Sequence, residues 1–333
     1  MSLAAVITTI QPPTDCVRVL ASRLGALDAP LYVVGDRKGP EAYDVDGTRL
    51  VPFGEQRDLG LGLAEVLPAD HYTRKNLGYL LAIADGATCI YETDDDNGPN
   101  EHWALRELWV DAEEVVAGGW VNVFALFSDE VIWPRGFPLD LVSGARPESK
   151  QADPEPAPVQ VGLIDRYPDV DAVWRVGRSH EVWLQRGPSV RLAPGTWCPF
   201  NSQSTWWWPV AFPLLYLPST CTFRMTDIWR SFVAQRCLWK LGHGVVFHAA
   251  EVQHDRNVHD LVDDLADELP GYRHNKAIAE VLEGVELAQG EAEVGANLRR
   301  CYEALVGGGF VDPAELGLVD AWLADVASVS SSG

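Results

Sequence analysis

Three consecutive carboxylates, Asp94, Asp95 and Asp96, follow the run "ATCIYET" in a chain whose net charge is already −22. Adjacent like charges cost free energy unless they face water or share a counter-ion, so the run is either a solvated turn or a metal site. As a metal site, Asp94 and Asp96 form a D-x-D pattern that presents two carboxylates on one side of a strand end to Mg²⁺ or Mn²⁺, while Asp95 orients locally. Such an ion keeps waters and bridges substrate phosphates. Upstream, Arg74 and Lys75 open a helix, where cations oppose the macrodipole and make more sense if an anion binds. Asp36, Arg37 and Lys38 in "GDRKGP" form a second cluster of the same kind after an earlier strand.

Strands and helices must hold these groups. The opening reads strand, helix, strand: "AAVITTI", a cap from Thr14 or Asp15, "CVRVLASRLG" and "PLYVVGD", a βαβ unit that favours a parallel sheet. In "PADHYTRKNLGYLLAIADGA", Thr73 can cap, Leu77, Leu80, Leu81 and Ala84 recur at helical spacing, and Gly86 terminates. The strand "TCIYE" then ends at the aspartates, and in open α/β sheets ligands bind at the carboxyl ends of strands. Between Gly144 and Val159 the segment "GARPESKQADPEPAP" has no apolar period and reads as an exposed loop or linker. Beyond it come short strands ("AVWRV", "EVWLQ"), an aromatic stretch around Trp206, Trp207 and Trp208, a helix "TDIWRSFVAQRCLWKLG", and from Val258 a tail of acidic amphipathic helix.

Composition narrows the partners. The 48 Asp and Glu against 26 Lys and Arg oppose binding to nucleic acid or an anionic membrane, while an anionic small substrate would need a local cation. No stretch approaches the ~20 apolar residues of a transmembrane helix. "MSLAAVITTI" reads as a first strand rather than a signal peptide, so a cytoplasmic protein is expected. Six scattered cysteines, with no C-x-x-C pair, indicate buried thiols rather than a zinc knuckle or disulfide framework.

Read together, "HYTRKNLGYLLAIADGATCIYETDDDN" resembles the signature of the STELLO-type glycosyltransferases, in which an R-K-N-x-G-Y helix precedes a D-D-rich strand end. The resemblance extends to "TTIQPPTDCVRVLA", "LYVVGDRKGP", "YPDVDAVWRVGR", "APGTWCPFNSQST" and "TDIWRSFVAQRCLW", most of residues 4 to 260. A related pattern occurs in the plant UDP-arabinopyranose mutases, also called reversibly glycosylated polypeptides.

The resemblance implies an α/β, GT-A-like nucleotide-sugar-binding fold with a mixed, mostly parallel central sheet and a helical C-terminal extension. Residues 1–143 would form the nucleotide-sugar-binding lobe, 144–159 a Pro-rich loop or linker, 160–257 the acceptor-side lobe, and 258–333 an acidic helical region. It also implies a nucleoside-diphosphate sugar as donor, a UDP-sugar being favoured, an unidentified acceptor, and Mn²⁺ or Mg²⁺. Carried onto this chain, Asp36, Arg37, Lys38, Arg74, Lys75 and Asn76 would bind the donor, and Asp94 and Asp96 the metal. Asp95, Asn201, Gln203, Trp206, Trp229 and Arg230 would meet substrate, and Asp227 would be a catalytic carboxylate.

The residues themselves leave alternatives open. Trp206, Trp207 and Trp208 could stack on a sugar or simply pack; Asn201 and Gln203 suit hydroxyl recognition or a capped loop. Asp227 could instead be an N-cap. His254 and His259 are five apart, too far for one helical face, but one of them, with His254 the candidate, could meet the aspartate-bound metal through folding. Three functions therefore stand at this point: a metal-dependent glycosyltransferase, a mutase interconverting ring forms of a sugar nucleotide, and a non-catalytic sugar-nucleotide-binding scaffold.

Overall fold

The residues Leu3–Thr9 form β1, buried along nearly its whole length, as expected of a strand covered on both faces. The computed structural model describes residues 1–178, 180–255 and 260–331. After β1, helix α1 (Asp15–Gly25) is capped by Thr14, whose side chain accepts from the Val17 N–H. Strands β2 (Leu31–Gly35) and β3 (Thr48–Val51), helix α2 (Lys75–Ala84) and strand β4 (Cys89–Thr93) complete the first half. They run in the order β3-β2-β1-β4, every pairing parallel. Gly86, at φ 79°, ends the turn after α2 as the sequence implies.

Helix α2 lies close on the sheet at Gly78. A Cβ there would stand 2.5 Å from Val6 Cγ1 and 2.9 Å from Val34 Cγ2. Gly78→Ala is therefore expected to destabilise the fold by about 1–3 kcal/mol through overpacking, despite the helix-propensity gain. Urea unfolding reads this directly; a more stable variant would mean that the helix lifts freely off the strands.

The second half adds β5 (Asn97–Pro99), β6 (Val159–Asp165), β7 (Ser204–Trp207), α3 (Thr226–Leu238) and β8 (Val246–His254). β7 runs antiparallel between β4 and β6, and β6 pairs parallel with β8. One mixed sheet thus passes through both halves, in agreement with the mixed α/β, GT-A-like architecture expected. β5 branches from it by pairing antiparallel with β8, which brings the end of β8 against the aspartate turn. Helices α4 (Leu261–Gly284), α5 (Val294–Gly307) and α6 (Glu315–Ser330) form the helical C-terminal extension. Helix α3 packs against α4 and α5 and is buried on every side, which explains why it lacks a polar face. Among the described residues no helix is long and apolar enough to cross a membrane.

Several local expectations change. "AVWRV" is not a strand: Ala172–Gly177 is a short helix, because the Asp171 carboxylate accepts from Trp174 N–H at 2.9 Å and caps it. "EVWLQ" contributes only an isolated bridge between Val182 and Arg166. Within 144–159, Lys150–Gln151 and Glu155–Pro156 each pair as short strands. Thr73 does not cap α2; His71 accepts from the Thr73 N–H and starts a turn of 3-10 helix that precedes it. The acidic tail's first two segments merge into one helix that continues through Pro270.

Candidate active site

The carboxyl ends of β2, β1 and β4 lie side by side, joined by the end of β8, around a cleft of about 340 Å³. The turn after β4 supplies all three aspartates to it. Each has a different partner, which is how the chain tolerates the run. Asp94 Oδ1 accepts from Lys75 Nζ at 2.8 Å and Tyr72 OH at 2.6 Å. Asp95 accepts from the Thr9 hydroxyl, and its backbone carbonyl from that of Thr14. Asp96 Oδ2 lies 3.2 Å from His254 Nε2, while its Oδ1 accepts from Asn97 Nδ2 at 2.8 Å.

Burial pushes the Asp94 carboxyl above its ordinary value, against the pull of Lys75. Burial likewise raises Asp95, to about 6, with Asp96 and Asp94 adding repulsion and the Thr9 hydroxyl opposing. Asp36 and Asp70 bring further carboxylates, so the cleft is acidic despite Lys38, Arg224 and the two imidazoles of His71 and His254. A diphosphate could rest here only beside a cation.

The cations at the start of α2 have protein partners. Arg74 is buried over the Phe53 ring, and donates to the carbonyls of Pro68 and Leu67 and to Gln56 Oε1. The fully buried Lys75 donates to Thr93 O, Ser202 O and Tyr72 OH besides Asp94. Asn76 braces Leu217 through both its backbone groups. Arg74 and Asn76 therefore stand behind the cleft, and Lys75 is its counter-charge. Lys38 lines the cleft; Arg37 pairs with Asp70 at 3.1 Å on its rim. The Asp36 carboxylate accepts from the backbone N–H groups of Arg37, Asp70 and His71 at 2.7, 2.9 and 2.8 Å.

On the far wall, Gln203 reaches the cleft and Asn201 holds it there, donating to Gln203 Oε1 at 3.2 Å and to Asp169 Oδ2 at 2.9 Å. Trp206 does not reach it. Alternation along β7 sends Trp206 into the core with Tyr91 and Trp103, its indole N–H donating to Glu251, and Trp207 to the opposite face, where it donates to Glu92. Trp229 is core too, donating to Asn275, and Arg230 is ion-paired with the buried Glu92 at 2.7 Å. These three side chains are packing and charge-pair groups beneath the site.

Asp227 is not a cap either. Its carboxylate accepts from Arg135 at 3.0 and 2.8 Å and from the Ser202 N–H at 3.3 Å. Arg135 also grips Asp169, through contacts of 2.9 to 3.1 Å, forming a buried carboxylate–guanidinium–carboxylate bridge that fixes the Asn201–Gln203 wall. Burial alone would raise Asp169, but the adjoining guanidinium overrides it and holds the carboxyl below the usual range. Sequence reading missed Arg135 and Asp169, whose separations from Asp227 of 92 and 58 residues leave no local signal. It also missed His71. His254 is the histidine of the pair that reaches the cleft; His259 lies outside the described residues.

Among the described residues no group of three or more His, Cys, Asp or Glu side chains is set to hold a metal ion by itself. Asp94 is committed to Lys75 and Tyr72, which leaves Asp96 and His254 as the facing pair.

Comparison with known proteins supports the family resemblance, and the family model's match lies downstream of the R-K-N helix and the aspartate run. The family model described as STELLO glycosyltransferases matches residues 224–331. The protein named Probable glycosyltransferase STELLO1 of Arabidopsis thaliana is 27% identical over 259 residues, 71% of this chain and 33% of its own length. Probable glycosyltransferase STELLO2 of the same plant is 27% identical over 274 residues, 75% of this chain and 35% of its own. The chain thus spans about a third of the length of the curated relatives it matches. A solved structure titled Crystal Structure of a Mycobacterial Protein overlays with a TM-score of 0.38 at 12% identity, covering 92% of this chain and 74% of that one, too slight a likeness to argue from. The chain is thus similar to the STELLO glycosyltransferases, over residues 224–331 in the family model and over 71% and 75% of its length in the two plant relatives.

Proposed function

We propose that this chain is a glycosyltransferase that binds a nucleoside-diphosphate sugar through Mn²⁺ or Mg²⁺ and passes the glycosyl group to an acceptor. The observation that carries the reading is the meeting of Asp96 and His254, 3.2 Å apart, at the strand ends of an acidic cleft in a chain related to probable glycosyltransferases. One carboxylate oxygen and one imidazole nitrogen fit Mn²⁺, and the carboxylate oxygen alone fits Mg²⁺, which prefers oxygen, provided that substrate phosphates and water complete the shell. When bound, the ion would offset charge on the departing diphosphate, a Lewis-acid role needing no proton transfer.

The chain's own groups have definable parts in this reading. Lys75 neutralises Asp94. Lys38 supplies a second positive charge at the β2 end, and Gln203 presents an amide from the opposite wall, where a sugar hydroxyl would find a donor or an acceptor. Asp227 enters as a positioning group, since both its oxygens are engaged by Arg135. A UDP-sugar is the favoured donor.

Product analysis tests the proposal. With a panel of UDP-, GDP-, CDP- and dTDP-sugars and Mn²⁺, at least one is expected to raise the melting temperature and to yield free nucleoside diphosphate when acceptor is supplied from a glycan mixture. Recovery of an isomeric sugar nucleotide would replace the proposal with a mutase. Absence of any thermal shift across the panel would leave a scaffold.

A further inference from the structure

The hydrogen-bonding polarity of the cleft-lining His71 side chain is fixed from behind. Its Nδ1 lies 3.2 Å from the Thr73 N–H and 2.9 Å from Thr73 Oγ1. A backbone amide can only donate, so Nδ1 must accept, and the imidazole must be neutral with its proton on Nε2. Burial favours the same state by pushing the His71 pKa below its ordinary value, against the pull of Asp36. Ser219 Oγ, 3.0 Å from Thr73 Oγ1, supports Thr73 in turn.

The backbone beneath this ring is also held. Asp70 adopts φ 54°, a left-handed conformation uncommon for a residue with a side chain. The Asp36 carboxylate keeps it there by accepting from both the Asp70 and His71 N–H groups, and Arg37 pairs with the Asp70 side chain. Left-handed non-glycine residues persist where surrounding structure over-determines them, and ligand clamps are among those places.

Position supplies the ligand class. Asp36 and His71 stand at the β2 end of the cleft, and Asp96 with His254 at the β4 and β8 end, with β1 between β2 and β4. Two inter-strand spacings, ~10 Å, separate those ends, a reach that suits a nucleoside whose phosphates sit at the aspartates. We propose that His71 reads the nucleobase, its fixed Nε2–H donating to the keto oxygen at position 4 of uracil and rejecting cytosine, whose amino group at that position is itself a donor. This rests on the nucleotide-sugar reading above and adds the residue that selects its base.

The test compares UDP with CDP, each with Mn²⁺, by calorimetric titration of the parent, His71→Gln and His71→Phe. The parent is expected to bind UDP about 10²-fold more tightly than CDP, because a donor facing a donor leaves both unpaired. A glutamine amide can turn either its NH₂ or its carbonyl to the base, so His71→Gln should bring the two ligands to within several-fold. Phenylalanine has neither group, and His71→Phe should weaken UDP towards the CDP value. Each ratio is read on one protein, so a uniform loss of stability does not disturb it. Parent binding of UDP and CDP with equal affinity would overturn the inference while leaving the donor reading intact, as would discrimination that survives in both variants. Binding of neither nucleotide by the parent would remove both.

Discussion

Arg135→Met is expected to lower the stability of the protein by about 3–5 kcal/mol, because it leaves two buried carboxylates without their shared cation. Arg135, Asp169 and Asp227 are 4%, 3% and 6% exposed, so water cannot replace the guanidinium. The pH dependence carries a sign. Asp169 is held below the usual carboxylate range in the parent, so its contribution is fully present above the unfolded carboxylate value, ~4. That contribution fades as pH falls through the lower, folded value. In the variant, burial would raise the unpaired carboxyls, and protonation in mild acid would relieve the penalty. The stability gap between parent and variant should therefore be wide at pH 7 and narrower at pH 4, as followed by urea unfolding at both. Asp227→Asn should cost less, since Asp169 still balances Arg135 and the amide oxygen can still accept from the Ser202 N–H. An Arg135→Met protein as stable as the parent would mean that the bridge is dispensable.

Asp96→Ala is expected to remove the metal-dependent part of nucleotide binding while the fold survives. A ligand at 100 times its Kd stabilises the native state by ~2.7 kcal/mol, and that is the increment that should vanish from the Mn²⁺ arm of a thermal-shift titration with the nucleotide sugar. His254→Ala should lose the same increment, since it removes the other facing donor. Asp94→Ala should behave differently. Lys75 is fully buried and would lose its only carboxylate partner among the described residues, so this variant should lose stability with or without metal and nucleotide. Two aspartates two positions apart would then show separable defects. If Asp96→Ala retains the full Mn²⁺-dependent shift, the run is a structural turn held by its protein partners alone and the metal reading falls.

The parts of this molecule visible in its sequence are those with local causes. The βαβ opening, the helix carrying the R-K-N motif and the carboxylates after β4 follow from apolar period, a capping Thr14 and a terminating Gly86, all short-range signals. Polar residues inside the sheet hid the later strands. β6 and β8 carry Gln160, His248 and Glu251 within their buried runs, each satisfied across the sheet, Gln160 by His248 at 2.9 Å and Glu251 by Ser204 at 2.8 Å. No periodicity rule anticipates such pairs. The same holds for the roles of Asp227, Trp206 and Arg230, which resembled site residues in sequence and are fixed by partners far along the chain. His71 shows the converse: its chemistry depends on a backbone N–H two residues away, a contact decided by the turn before α2 rather than by residue type.

The placement of β7 sets an order on how the protein can be made. β7 lies between β4 and β6, although β6 precedes it in the chain, and β8, which carries His254, is the last strand to join. A ribosome delivers residues 94–96 long before it delivers residue 254, so the nascent chain holds its aspartate turn without the imidazole that faces it. Non-local pairing of this kind also slows folding, because long loops must close before any contact rewards them. Asp96 meets His254 only once β8 has joined the sheet, so the cation site of the proposed reading requires β8, and an N-terminal fragment that stops before it lacks the pair.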